Sequence, residues 1–435
     1  MHARRQLWYS ALVATRNSGV TGIGYRLRVL RKAQGMTYAA VGRAAGISHA
    51  MVMYIETGQT IPGLETVEKL ALAFKVDPRW LAYGNPEPER LTTHFLGTPE
   101  SDAIQMISDL QTILRTGSGT IDDTYKYLDP LGAAQWCKLL EERAFAALIE
   151  AVPLQEASAA IAALVGRQPV DVLGLGAGTA RHELGLINRF LARQHSDLRL
   201  LLLDVSQSLL SMAARNAMAR IPPQRNVPLL CVLGNFHFLS TYSYLFEGQG
   251  PRCKVVSMFG YTFANLEDEL GFVEKNLSWL PADSLLLLDL PMVFAPAASP
   301  SEVAQRDPAL SEQRPSEWRH RVEEFLTGPI HRYSGGVLDV TITKALDNRA
   351  TTVPGSYTIN TSASVRFADR PSGHFFMGYT KRYEVTGLAK SLQALGWNFV
   401  SHWPYASNTN MLCLFQRAKP APKRGRTAKA QASLK

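Results

Sequence analysis

The strongest constraint on the fold is a run of five short helical periods within about sixty residues near the N-terminus, most of them bounded by their own start or stop signal. Ile23, Leu27 and Leu30 recur at helical spacing and predict a first amphipathic helix from Gly24 to Gln34, ended by Gly35. Thr37 suits the N-cap of a second helix, Tyr38 to Ala45. Gly46 then supplies a tight turn, where a residue without Cβ tolerates positive φ. Ser48 caps a third helix, His49 to Glu56, closed by Thr57-Gly58. A fourth follows Pro62-Gly63 and carries Val67, Leu70, Ala71 and Phe74 on one face. Asp77-Pro78 opens a short fifth with Trp80 and Leu81, Asp capping and Pro at the first helical position.

This pattern resembles the Cro/repressor (XRE-type) helix-turn-helix family. The likeness is carried by Leu27-Arg28-x-x-Arg31, Gly35-Met36-Thr37, Ala44-x-Gly46-Ile47-Ser48, Ile55-Glu56-x-Gly58, Pro62, Leu70-Ala71 and Trp80-Leu81. It implies double-stranded DNA as partner, with the third helix in the major groove. Val52 and Ile55 are expected to face the core, leaving His49, Ala50, Met51 and Met53 outward, with Ser48 at the helix start. That face is poor in Arg, Asn and Gln, so direct base readout is expected to be modest. Arg28, Arg31, Arg43, Thr37, Thr57 and Gln59 are candidate phosphate contacts. A homodimer is expected because such regulators usually read two half-sites.

Charge agrees with a nucleic-acid partner for the ends. Residues 1–90 hold 12 Lys/Arg against 6 Asp/Glu, and residues 417–435 hold 7 Lys/Arg and no acid. The net +9 of the chain therefore leaves a mildly acidic middle. The tail, 417–435, reads as solvated and disordered, and 1–22 as an N-terminal arm. Gly84-Asn85-Pro86-Glu87-Pro88-Glu89 is turn-rich and polar, giving a linker at 85–91. No apolar run is read as membrane-spanning, and Arg16 and Asn17 interrupt the apolar stretch that a secretory signal would need. Four scattered cysteines, with no Cys-x-x-Cys pair, suggest neither zinc nor a disulfide framework and fit the reducing cytoplasm.

From 92 to 416 the chain changes character. Val170 to Leu175 is an apolar strand running into Gly174-x-Gly176-x-Gly178, then a helix from Ala180 to Gln194, then a second strand, Leu198 to Leu203, ending in Asp204. Glycines let a backbone approach a ligand, and an acid at the next strand tip can accept two ribose hydroxyls. The position of the third glycine points away from NAD and toward S-adenosylmethionine (SAM). Strand-like runs recur at Leu229–Phe236, Lys254–Gly260 and Ser284–Leu290, so a doubly wound sheet is expected over about 155–292.

These residues resemble the histidine-specific, SAM-dependent methyltransferases. The likeness rests on Tyr127-Leu128-Asp129-x-Leu131-Gly132, the glycine loop, Leu203-Asp204-Val205-Ser206, Phe259 to Leu266, and Tyr379-Thr380-Lys381-Arg382-Tyr383 with Gly387-Leu388 and Gly396-Trp397. It implies an all-α helix-turn-helix domain followed by an α/β Rossmann-like methyltransferase domain with a smaller β-rich subdomain at about 292–385. It implies that Gly174, Gly176, Gly178 and Asp204 hold SAM. Asn265 and its neighbour Tyr261 are the candidate catalytic residues, facing an amine or amino-acid-like ligand. The family's substrate-imidazole Glu falls at Gly378 and its Tyr-rich segment is missing near 142–147, which argues against histidine itself. No metal site is expected.

Three functions follow: a regulator that senses a small molecule, an active methyltransferase targeted or autoregulated by its N-terminal module, and a plain scaffold. DNA as methyl acceptor is disfavoured, because neither an Asn/Asp-Pro-Pro-Tyr/Phe segment nor a Pro-Cys dipeptide is present.

Overall fold

Local capping builds the N-terminal unit. A computed structural model describes residues 22–83 (bar 75 and 77), 91–96, 102–246 (bar 196), 251–293, 302–303, 307, 310, 316–347 and 353–419. The expected arm (1–22), linker (85–91) and tail (417–435) lie outside the described residues save at their edges, where Gly22 begins a helix, Leu91 begins a strand and Arg417 ends one. Two units separate between Glu89 and Arg90.

The first unit has helices α1 (Gly22–Ala33), α2 (Tyr38–Ala45), α3 (His49–Glu56), α4 (Leu64–Phe74) and α5 (Pro78–Tyr83). The Thr37 hydroxyl accepts from the Ala40 amide and the Ser48 hydroxyl from the Met51 amide, so both N-caps act as the sequence predicts. Gly46 ends α2 with φ of 63°. Ile23, Leu27, Val41, Val52, Ile55, Val67, Leu70, Phe74 and Leu81 make one buried core. Two glycines set the helix spacing: a Cβ on Gly24 would stand 2.3 Å from the Ile55 carbonyl, and one on Gly42 2.7 Å from that of Ile47. Ser48→Ala removes one cap and is expected to lower the unit's stability by about 1 kcal/mol. Thermal unfolding of the chain checks this, and an unchanged melt would show the cap to be idle.

The second unit is built on two sheets. Its strands are β1 (Leu91–Phe95), β2 (Ser118–Thr120), β3 (Val170–Leu175), β4 (Leu198–Asp204), β5 (Leu229–Leu233), β6 (Cys253–Met258), β7 (Leu285–Pro291), β8 (Val337–Asp347), β9 (Tyr357–Phe367), β10 (Gly373–Arg382), β11 (Trp397–Tyr405) and β12 (Asn410–Arg417). The large sheet runs β1-β5-β4-β3-β6-β7-β12-β11, with β12 alone running against the other strands. Setting β1 aside, the order by appearance is third, second, first, fourth, fifth, seventh, sixth. This is the Rossmann-like arrangement of methyltransferases, with the last strand slotted in antiparallel. Leu200 and Leu202 serve one face of the sheet, Leu201 and Leu203 the other, and both faces are covered. That is why the strand reads as an unbroken apolar run.

The small sheet runs β2-β10-β9-β8. It is wider in sequence than the expected 292–385, because β2 pairs parallel with β10 and the helix Ala103–Thr116 packs on it. Met106, Leu110 and Leu114 share a core with Ile330, Val365 and Phe375. Strands β1, β11 and β12 were not expected from sequence.

One further expectation needs correction. Arg143–Val165 is long and apolar enough to cross a membrane by length and composition. The segment is nonetheless two helices, Arg143–Glu150 and Leu154–Val165, separated at Pro153. The second buries Leu154, Ala157, Ile161 and Val165 in the sheet core, the behaviour of a core helix.

Candidate functional site

In the first unit the candidate surface is one side of α3. Val52 and Ile55 are fully buried, while His49, Met51, Met53 and Tyr54 are exposed and Ala50 is half-buried. Ser48, Thr37, Arg43, Thr57 and Gln59 are exposed as well. Tyr54 escaped the sequence reading; it lies three residues beyond Met51 on the same outward stripe, which was the available signal. The face offers imidazole, methyl, thioether and phenol groups rather than amides or guanidinia.

Arg31 is removed from the phosphate contacts. Its guanidinium makes a two-pronged pair with Glu56, Nε to Oε1 at 2.6 Å and Nη2 to Oε2 at 2.9 Å, and Nη1 also donates to the Met36 carbonyl. It lies 4.1 Å from the Tyr38 ring centroid. Hydrogen bonding to Glu56 raises its pKa further, although burial opposes. Arg28 is half-committed to the same residue, donating to the Glu56 carbonyl at 3.3 Å. Glu56 is fully buried, so these arginines first neutralise an interior carboxylate.

The second unit holds a cavity of about 1000 Å³ at the carboxyl ends of β3, β4, β5 and β6. The ends of parallel strands where the order reverses are where open α/β sheets bind ligands. Gly176 and Gly178 line it with φ of 65° and 54°. A Cβ on Gly176 would stand 3.1 Å from Thr262 and 3.4 Å from the Phe236 ring, so backbone bareness keeps this wall open. Ala180, beyond the last glycine, adopts φ of 57° without being glycine.

Gly174 does not line the cavity. It sits inside β3, where a Cβ would collide with the Glu183 side chain at 2.9 Å, so its role is helix-to-strand packing. Tyr261 also stays off the lining: its ring packs against the sheet core and its hydroxyl accepts from the Asn410 amide. Its backbone φ is 67°.

Asp204 stitches the strand tip to the glycine loop. Oδ2 accepts the Gly178 amide at 2.7 Å and Oδ1 the Ser206 amide at 2.8 Å. The Val205 amide also favours the anion, and the carboxylate keeps remaining acceptor capacity for a ligand. Burial pushes its pKa up to about 6, against the amides that favour the anion. Burial also lifts Glu183 to about 7, while Ser257 donates to it. His182 is pulled down to about 4 by burial, so it is neutral, with Nε2 3.2 Å from the Ile149 carbonyl.

Asn265 lines the cavity and links three distant segments. Its amide donates to Asp123 Oδ2 at 3.1 Å and its Oδ1 accepts from Thr380 at 3.4 Å. At β5's end Phe236 stacks on His237, 4.7 Å between centroids, and meets Phe272 edge-on. The lining also carries an aromatic group, Tyr127, Trp136 and Phe145.

Residues 27–81 match the family model for helix-turn-helix domains. The helix-turn-helix unit is similar to the P22 c2 repressor protein in complex with a synthetic operator: 30% identity over 14% of this chain and 96% of that one, TM-score 0.14. For the rest, a S-adenosylmethionine-dependent methyltransferase from Clostridium acetobutylicum is similar over 66% of this chain and 99% of its own, at 10% identity and TM-score 0.37. A glycopeptide N-methyltransferase complexed with sinefungin is similar over 62% and 88%, at 16% identity and TM-score 0.32. No curated protein matches the chain.

Proposed function

We infer that the chain is a DNA-binding transcriptional regulator whose methyltransferase-like body binds SAM beside an amine ligand and whose DNA affinity depends on that occupancy. One observation carries the reading. Gly176, Gly178 and Asp204 open onto the same cavity as Asn265. Small-molecule pockets run to about 1,000 Å³, so this one has room for a cofactor and a second molecule.

The residues present fit SAM. Two bare, positive-φ glycines give a backbone cradle, Asp204 keeps lone pairs for two ribose hydroxyls, and Phe236 offers a ring face to the adenine. SAM itself supplies an electrophilic methyl group. The exposed face of α3 lies in the major groove, with Arg43, Thr37, Thr57 and Gln59 on phosphates. The protein acts as a homodimer in the cytoplasm, where its four cysteines stay reduced.

A second reading is an active N-methyltransferase that uses its helix-turn-helix for targeting or autoregulation. The shared cavity favours it, because a methyl donor and an acceptor at Asn265 would lie in one chamber.

The pH dependence of SAM binding tests the cofactor site. Asp204 accepts hydroxyls only as the anion, so affinity is expected to be flat above pH 7. It should fall about tenfold per pH unit below about 6. Stability moves the other way for this group. Its folded pKa lies above its unfolded one, so its contribution is full at low pH and lost as pH rises through about 6. Weaker binding at pH 5.5 is therefore not unfolding driven by Asp204. Calorimetry across pH 5.5–8 checks this; pH-independent affinity would remove Asp204 from the ribose.

A further inference from the structure

Gly378 sits at an irregularity of the β9–β10 pairing, with φ of 123°, on the cavity wall. The space a side chain there would enter is bordered by the segment that follows β2, the neighbour of β10. Asp123 Oδ1 lies 3.3 Å from the position of a Cβ on Gly378. Asp123 belongs to the short turn Asp123–Lys126, 255 residues earlier in the chain. We propose that Asp123 and Asn265, the latter braced by Thr380 from behind the lining, form the ligand-selecting end of the cavity, and that it takes a protonated amine carrying no carboxylate.

Asp123 Oδ1 is paired with Lys126 and Oδ2 accepts one Asn265 proton. Each oxygen retains one lone pair. The Asn265 oxygen accepts from Thr380 and keeps its second lone pair. What the group offers is mostly acceptors, and an alkylammonium brings three donors. Carboxylates continue along the lining: Asp109 and Asp122 act on Tyr125, and Glu267 acts on Tyr379, in each case adding to burial in raising the phenol's pKa. The cations of the lining do not balance them. Lys126, outside the lining, is spent on Asp123; of the lining's Lys and Arg side chains, Arg181 pairs with Glu150 at 2.9 Å, which leaves Lys275 against Asp109, Asp122, Asp123, Glu267 and Asp268. A ligand carboxylate would face more like charges than opposite ones, whereas a second ammonium would not.

This inference rests on the cavity being a ligand site and narrows what the site accepts. The test uses the full chain and calorimetry in three titrations: SAM, 1,4-diaminobutane, and 4-aminobutanoate, which has a similar chain and amine but a carboxylate at the far end. Diaminobutane is expected to bind at least about tenfold tighter than aminobutanoate. Asp123→Asn, checked for folding by its melt, is expected to lose at least about tenfold of diamine affinity. Thr380→Val, a milder change, should weaken it less. Aminobutanoate binding as well as the diamine, no diamine binding, or Asp123→Asn leaving it unchanged overturns the proposal. If SAM binds and the diamine does not, only this inference fails. If SAM fails to bind while the diamine binds, the cofactor reading falls and the amine site stands.

Discussion

Glu56→Ala is expected to unfold much of the helix-turn-helix unit. The carboxylate is fully buried and receives both prongs of Arg31, with Arg28 close at 3.8 Å. Breaking such a pair strands a mostly buried guanidinium at a cost on the order of 3 kcal/mol. A sixty-residue unit has only about 3–9 kcal/mol in total. The first melting transition of the chain should drop by more than about 10 °C, and DNA retardation should vanish with it. Glu56→Gln keeps the shape and one acceptor and should lose less. Replacing the pair together, Arg31→Met with Glu56→Leu, should recover most of the loss, since an apolar pair asks for no partner. A Glu56→Ala melt within 2 °C of the parent would mean the pair is dispensable.

Asp204→Ala is expected to weaken SAM binding by about 100-fold or more. Two charge-assisted bonds to ribose are worth roughly 1.5–3 kcal/mol each, and 1.4 kcal/mol is tenfold in affinity. The Gly178 amide also loses its acceptor, which loosens the loop over the ligand. Asp204→Asn keeps the volume but offers a donor where an acceptor is needed, so it should fall between. Calorimetric affinities for the three proteins decide it, and equal values would place SAM elsewhere.

What sequence revealed here followed from how local each signal is. Thr37, Gly46 and Ser48 act within four residues of themselves, so the helix-turn-helix was readable down to its caps. The apolar run at Leu200–Leu203 and the acid behind it announced a strand buried on both faces. Strand β2 was missed because it has three residues, Ser118–Thr120, and its strand partner β10 is far along the chain. The apolar run Met411–Phe415 was not expected as a strand, and nothing local says that it lies antiparallel against β7.

Site residues divide the same way. Gly176 and Gly178 face the cavity, but Gly174 belongs to the same repeat and packs against Glu183 instead. Alternation along a strand tells which glycines point together, not which face meets ligand. Asn265 lies on the cavity, whereas Tyr261, four residues earlier, turns into the core. Arg31 looked like a phosphate contact because its partner is 25 residues away. Asp123 carried no motif at all; only the empty flank of Gly378 gives it meaning.

The most direct test of the whole account is fluorescence anisotropy of a labelled duplex pool titrated with the full chain, in about 50 mM salt, without SAM and with SAM at saturation. Binding to the duplex with an affinity that shifts about fivefold or more on SAM addition is the predicted result. Duplex binding that is absent at this salt, or identical at every SAM concentration, would contradict it.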